Sequence, residues 1–294
     1  MSTLIALLLA VCLLTGCAGT PVEGEMQAIS PPTLSAVTGA PAETFSYQVE
    51  IEDREGTVSA PDGTPLVHYS FQVPELTALR ADGTCIQTAE GQTEAAALAL
   101  AETFNSQFAD WSTDGDVSEL AAAAEEELAM RRAAGQDWPG AYELEFQCDV
   151  YQTDQLISVS GGYSSDTGGS HPNLWLLAWN FDLRDGTFLT PEHLALDSEA
   201  FLEGVCDELV RQCHQRAEHP EEFFWSDFQQ IVGDWSSYAV SFDEGGMTVA
   251  FSPYELACYA AGPQVFELSY EQLRPYLSED GLALLGLSAE AAAR

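Results

Sequence analysis

Few side chains in this sequence are placed to do chemistry. The five histidines, at positions 68, 171, 193, 214 and 219, are scattered. Cys213, His214 and His219 suggest a metal, but positions five apart on a helix point about 140° away from each other, which disfavours joint ligation. Asp114-Gly115-Asp116 followed by Glu125 imitates a calcium loop. However, Glu119 stands where such a loop needs glycine, and Ser118 where it needs a stronger oxygen ligand. The acidic residues there suit the start of a helix, where the helix dipole favours negative charge. Glu125-Glu126-Glu127 reads as a solvated helix face. There is no G-x-S-x-G elbow, no H-E-x-x-H helix and no P-loop. With no lysine in the chain, Schiff-base chemistry is excluded. The expectation is a protein that is not an enzyme and has no catalytic residue, no metal and no cofactor.

Two segments stand apart. The first is Gly161-Gly162-Tyr163 followed by Thr167-Gly168-Gly169-Ser170-His171-Pro172-Asn173. Its glycines permit positive φ and close backbone approach, so it reads as a mobile loop between strands. His171 gives that loop a polar, titratable tip. An ordinary strand connection has the same composition. The second segment runs from Phe251 to Pro263 and holds Pro253, Tyr254, Tyr259 and Gly262. Tyrosines on a proline-constrained loop lose little entropy when a partner binds, which suits recognition. Alternatively, both rings pack into the core.

These loops need a scaffold, and the composition supplies one. The 294 residues are 46% hydrophobic and 10% aromatic, which is normal for a folded protein. Nine basic residues, all arginine, face 47 acidic ones, for a net charge of −38. Such a body cannot neutralise nucleic-acid phosphates, and an anionic lipid surface repels it. It attracts cationic partners instead.

Period-two alternation predicts strands over 45–52 and 66–73, joined by a long loop containing Pro61-Asp62-Gly63. Helical spacing follows over 93–110 and 117–132. Strands are expected at 141–152, 155–163 and 174–183, closed by an Arg184-Asp185-Gly186 turn. Next come a short helix at Thr190-Pro191-Glu192, a long amphipathic helix over 198–217 and a shorter one over 221–232. Strands at 237–243, 247–251 and 264–269 lead into a helix over 270–277 and an Ala/Leu-rich tail from 279 to 294. Strands in hairpins with helices in separate blocks indicate an α+β fold. The expected form is an antiparallel sheet with helices on one side, in two associated subdomains, 44–138 and 139–278.

The N-terminus predicts a compartment. The unbroken apolar run from Leu4 to Leu14 is too short to span a bilayer comfortably and suits a signal-peptide core. It ends in Leu14-Thr15-Gly16-Cys17, which resembles the lipobox of bacterial lipoproteins. That resemblance implies cleavage after residue 16, lipidation of Cys17, and a body held outside the cell membrane by its lipid anchor. No basic residue precedes the apolar run, which departs from the usual leader. Residues 17–43 then read as a flexible tether, with a span on the order of 28 Å. Beyond it lie Cys85, Cys148, Cys206, Cys213 and Cys258, an odd number that cannot all pair. Cys206 and Cys213 would lie about 10.5 Å apart along one helix. A disulfide requires Cα atoms within about 7 Å.

The runs GGSHPN…NFDLRDGTFLTPEHL and FSPYELACYAAGP…FELSYEQLRPYL resemble the extracytoplasmic domain family of RsiV-like anti-sigma factors. That domain also accompanies peptidoglycan deacetylases of the PdaC type. The likeness covers residues 140–278, and 44–135 is similar, less distinctly, to the smaller domain that usually precedes it. Cys258 stands where the family has proline. The sigma-binding segment, transmembrane helix and deacetylase domain of those relatives have no counterpart in this sequence.

The resemblance implies a recognition module. Its two loops would form one face, with Gly168, Gly169, Ser170, His171 and Asn173 from the first and Pro253, Tyr254 and Tyr259 from the second. The expected partner is a c-type lysozyme or a peptidoglycan fragment. Two other readings are a wall-acting hydrolase using His171 with Asp166 or Asp182, and a structural envelope lipoprotein.

Overall fold

A computed structural model describes residues 45–109 and 115–287. Cys17, the leader and tether through residue 43, Asp114 and residues 288–294 lie outside the described residues.

Strand β1 (Ser46–Ser59) pairs antiparallel with β2 (Pro65–Leu79) along its whole length. The loop is therefore a tight turn at Ala60–Thr64 and not the long connection expected. Gly63 takes a φ of +87° there, and Asp62 Oδ1 accepts from Thr64 N at 3.1 Å. The charged run Glu52–Glu55 hid the strand. It is tolerated because β1 is an edge strand, largely exposed on both faces.

Helices α1 (Gln92–Gln107) and α2 (Gly115–Ala133) then cross to β3 (Tyr142–Gln152), which lies parallel to β2. This helical crossover is the one departure from an antiparallel sheet among the described strands. Strands β4 (Leu156–Asp166), β5 (Asn173–Asp182) and β6 (Thr187–Leu189) follow antiparallel. The sheet has the order β1-β2-β3-β4-β5-β6. Its helix-facing side buries Phe71, Phe104, Phe108, Phe146 and Phe181 completely.

The second core forms around α3 (Ser198–Arg216), which Asp197 caps by accepting from Ala200 N at 3.0 Å. The helix expected over 221–232 is instead two single turns, α4 (Pro220–Phe223) and α5 (Phe228–Ile231). Phe224 turns extended between them, buries its ring and bridges to Ala257. Strands β7 (Ala239–Phe242), β8 (Gly246–Phe251) and β9 (Gln264–Ser269) make a three-stranded antiparallel sheet in that order. It is followed by α6 (Tyr270–Leu273), shorter than expected, and α7 (Glu279–Leu284). Residues 279–287, read in sequence as tail, belong to this core, with Leu284 and Leu285 buried. Among the described helices none is long and apolar enough to cross a membrane.

The small sheet is mounted on the face of β4 and β5 opposite the helices. Ser158 and Asn180 are cross-strand neighbours there, and both are buried. Ser158 Oγ donates to Asn180 Oδ1 at 2.8 Å and accepts from Phe242 N at 2.8 Å. Asn180 Nδ2 donates to the Val240 carbonyl at 2.8 Å. Further along β5, Leu176 N donates to Ser252 Oγ at 3.0 Å. The outer edge of β7 is thus satisfied by side chains and not by another strand.

All five described cysteines are free thiols. Burial pushes Cys148 up to about 12, and Cys206 and Cys213 up to about 11. The thiolate is the reactive form, so these three are inert near neutrality. Alkylation of residues 43–294 at about pH 7.5 is expected to modify the exposed Cys85 and Cys258 quickly. The other three should react only after denaturation. Mass spectrometry of the peptides checks this, and rapid labelling of Cys213 would contradict the buried α3 face.

Candidate functional site: an aromatic face from two loops

The first loop joins β4 to β5. Gly168 takes a φ of +76°, which only glycine adopts cheaply, and its N–H donates to Asp166 Oδ1 at 2.8 Å. Gly161 and Gly162 are not part of this loop, contrary to the sequence reading. They lie inside β4, opposite Cys148 and Gln147 of β3. A Cβ on Gly161 would meet the Gln147 carbonyl and the Phe146 ring at 2.7 Å, so this glycine serves packing.

The second loop leaves β8 at Phe251 and is anchored along its length. Ser252 is bonded to β5, and its own N–H donates to the Glu255 carboxylate. Leu256 and Ala257 are buried in the second core. Trp225 N donates to the Leu256 carbonyl at 3.0 Å, and Trp225 Nε1 donates to the Tyr254 carbonyl at 2.9 Å. Clamped on both sides, Tyr254 sits at a φ of +74°, in the left-handed region, with its side chain projecting and the residue 57% exposed. Such a conformation costs roughly 1–2 kcal/mol for a residue other than glycine.

The structure brings the two loops together. The His171 and Tyr259 rings stack with centroids 3.6 Å apart and planes 17° from parallel. Tyr259 Oη donates to the Pro172 carbonyl at 2.9 Å. His171 Nδ1 donates to the same carbonyl at 3.0 Å, which leaves Nε2 as an acceptor for Tyr254 Oη at 3.4 Å. Tyr254 and Tyr259 have centroids 5.5 Å apart. Three rings thus form one connected cluster, two of them half-buried and Tyr254 outermost. Gly168, Gly169, Ser170 and Asn173 surround it as exposed residues, and Pro253 is half-buried at its edge.

Neither expected carboxylate is paired with His171. Asp166 is occupied by the Gly168 N–H. Asp182 lies nine residues along β5 from Asn173, about 30 Å away. There it is buried and ion-paired with Arg184 at 2.6 Å. The proposed His171–Asp182 pair is therefore corrected: an extended strand separates its members. His171 is placed to stack and to accept a hydrogen bond, with no carboxylate partner among the described residues.

Sequence reasoning missed Trp225. It supports the back of Tyr254 and is itself 37% exposed, beside the exposed Phe223. The signal was present in Phe223-Phe224-Trp225, three consecutive aromatics that one helical face cannot bury together.

Comparison with known proteins bears on the fold. No curated protein matches the chain in sequence. Among solved structures, the chain is similar to a DUF3298 family member from Bacteroides fragilis, with a TM-score of 0.57 and 15% identity over 86% of this chain and 100% of that one. A DUF3298 family protein from Pseudomonas aeruginosa gives a TM-score of 0.45 and 16% identity over 80% of this chain and 95% of that one. The first likeness is one of fold. Residues 192–271 match the family model described as a protein of unknown function, DUF3298, so the stretch from α3 through the small sheet, with the whole Tyr254–Tyr259 loop, is similar to a DUF3298 domain.

Proposed function

We propose that this chain is a non-enzymatic, RsiV-like recognition lipoprotein, anchored through Cys17 on the outer face of the bacterial cell membrane. Its aromatic face engages a c-type lysozyme, with wall glycan as the competing ligand. The observation that carries the reading is the His171–Tyr254–Tyr259 cluster, an aromatic surface held in place before any partner arrives. Rigid, partly exposed tyrosines lose little freedom on binding, so more of the contact energy appears as affinity. A strained Tyr254 supports the same reading, because backbone strain concentrates at sites that do something other than stabilise the fold. The net charge of −38 favours encounter with a basic enzyme.

The test is calorimetric titration of residues 43–294, which form a compact unit by themselves, with a c-type lysozyme and separately with muropeptides. One-to-one binding to lysozyme is expected, weakening about tenfold between about 20 and 200 mM salt as charge steering is screened. No heat with lysozyme at the lower salt overturns the lysozyme assignment. Heat with muropeptides alone would move the same face to glycan recognition.

A further inference from the structure

We infer, building on the lysozyme reading above, that Phe223 and Trp225 form a second contact area beside the His171–Tyr254–Tyr259 cluster, and that it takes a cationic side chain of the basic partner. Among the described residues only three aromatic residues are exposed, Phe223, Trp225 and Tyr254. An exposed apolar residue standing alone is ordinary. Here all three lie on two segments that are bonded to each other.

Local structure explains the exposure. α4 ends at Phe223, and Phe224 continues extended, with φ −91° and ψ 169°. In extended backbone, successive side chains point to opposite sides. Phe224 buries its ring and bridges antiparallel to Ala257, which is also buried. Phe223 and Trp225 are therefore directed outward, one on each side of that anchor. Trp225 is fixed to the second loop by its N–H on the Leu256 carbonyl and its Nε1 on the Tyr254 carbonyl. Phe223 packs edge-on against Phe224, with centroids 4.8 Å apart and planes at 82°. Both rings are held in place while exposed, which limits the freedom lost on binding.

Charge decides what such rings receive. Glu222 adjoins Phe223, and Asp227 follows Trp225 two residues on; both are exposed. Neither side chain has an ion pair or a hydrogen bond among the described residues. Carboxylates are common throughout this chain. What sets this pair apart is that they flank two of its three exposed aromatic residues. An aromatic face attracts an ammonium or guanidinium through its quadrupole, and a free carboxylate answers the charge. The apolar stem of lysine or arginine covers the ring. Anionic lipid is repelled by the same carboxylates. Trp225 joins this area to Tyr254, so the cation belongs to the same protein that the cluster engages.

The experiment is calorimetric titration of residues 43–294 with a c-type lysozyme at about 20 mM salt. Phe223→Ser should weaken binding about tenfold. Glu222→Gln with Asp227→Asn should weaken it about fivefold to tenfold and flatten its salt dependence. The triple variant should lose clearly less than the product of these two factors, because ring and carboxylates act on one cation. Glu125→Gln with Glu126→Gln removes the same charge from an exposed face of α2 and should change affinity less than about twofold. A readout on the unaltered contacts comes from 5-fluorotryptophan labelling. The fluorine resonance that Trp225→Phe deletes should shift when lysozyme is added. An unmoved Trp225 resonance, or losses under about twofold in both Phe223→Ser and the Glu222/Asp227 variant, would overturn this contact area and leave the lysozyme reading standing. Losses that multiply would mean that ring and carboxylates meet separate groups, which overturns the cation. Equal losses in the two double variants would overturn it as well, since the whole-protein field would then account for the effect. No binding by the unaltered chain would overturn both readings together.

Discussion

Asn180→Leu is expected to lower the unfolding free energy by about 3 kcal/mol, although it exchanges a polar residue for an apolar one of similar size in a buried strand. Two hydrogen bonds disappear, one from the Ser158 hydroxyl and one to the Val240 carbonyl. Each leaves a group stranded between two sheets, at roughly 1–3 kcal/mol apiece. Because the volume is nearly conserved, the loss does not come from a cavity. Ser158→Ala strands the Phe242 N–H in the same way. The double variant should cost clearly less than the sum of the two singles, since both act on one network. Urea unfolding of residues 43–294 measures all three. A loss under about 1 kcal/mol for Asn180→Leu would show that apolar contacts alone hold the small sheet in place. The consequence reaches the loops. β5 begins at Asn173 and Ser252 directly follows β8, so the register between the sheets decides whether His171 meets Tyr259. Partner affinity should therefore fall in Asn180→Leu, although Asn180 sits about 23 Å along the strand from the first loop.

That coupling explains which parts of the molecule could be read from the chain alone. The hairpin strands over 142–152 and 264–269 announce themselves by alternation, because one face of each is buried and the other is not. β1 gives a weaker signal at its far end, since an edge strand exposed on both faces imposes no pattern on Glu52–Glu55. The run LWLLAWNFDL contains its own clue in Asn180, a polar residue inside a strand covered on both sides. Its partner carbonyl is 60 residues away and is identified only by tertiary packing. Gly161 and Gly168 look alike in sequence but serve different ends, one yielding room to the Phe146 ring and the other supplying a left-handed turn. The two loops were legible as unusual compositions. Their stacking was not, because no local rule pairs His171 with a tyrosine 88 residues on.

Tyr259→Ala is expected to lower affinity for a c-type lysozyme about 100-fold, in the range of central aromatic anchors. The residue has two roles in the face. Its ring stacks on His171, and its hydroxyl holds the Pro172 carbonyl, which also receives His171 Nδ1. Removing it releases the first loop as well as its own contact surface. Tyr259→Phe separates the roles, because it keeps the stack and loses only the tether; a drop of about fivefold is expected, in line with one neutral hydrogen bond. Tyr254 allows a sharper test, because there stability and binding should move in opposite directions. Tyr254→Gly relieves the left-handed backbone, so the protein should become more stable by up to about 1 kcal/mol, the greater freedom of glycine in the unfolded chain offsetting part of the gain. The same substitution removes the outermost ring of the cluster, and affinity should fall about 30-fold. A residue kept only for the fold cannot behave this way, since its loss would weaken both properties together. Thermal unfolding and calorimetry on the single variant Tyr254→Gly give both readings. Unchanged affinity in a stabilised protein would remove Tyr254 from the recognition face and leave its strain without a function.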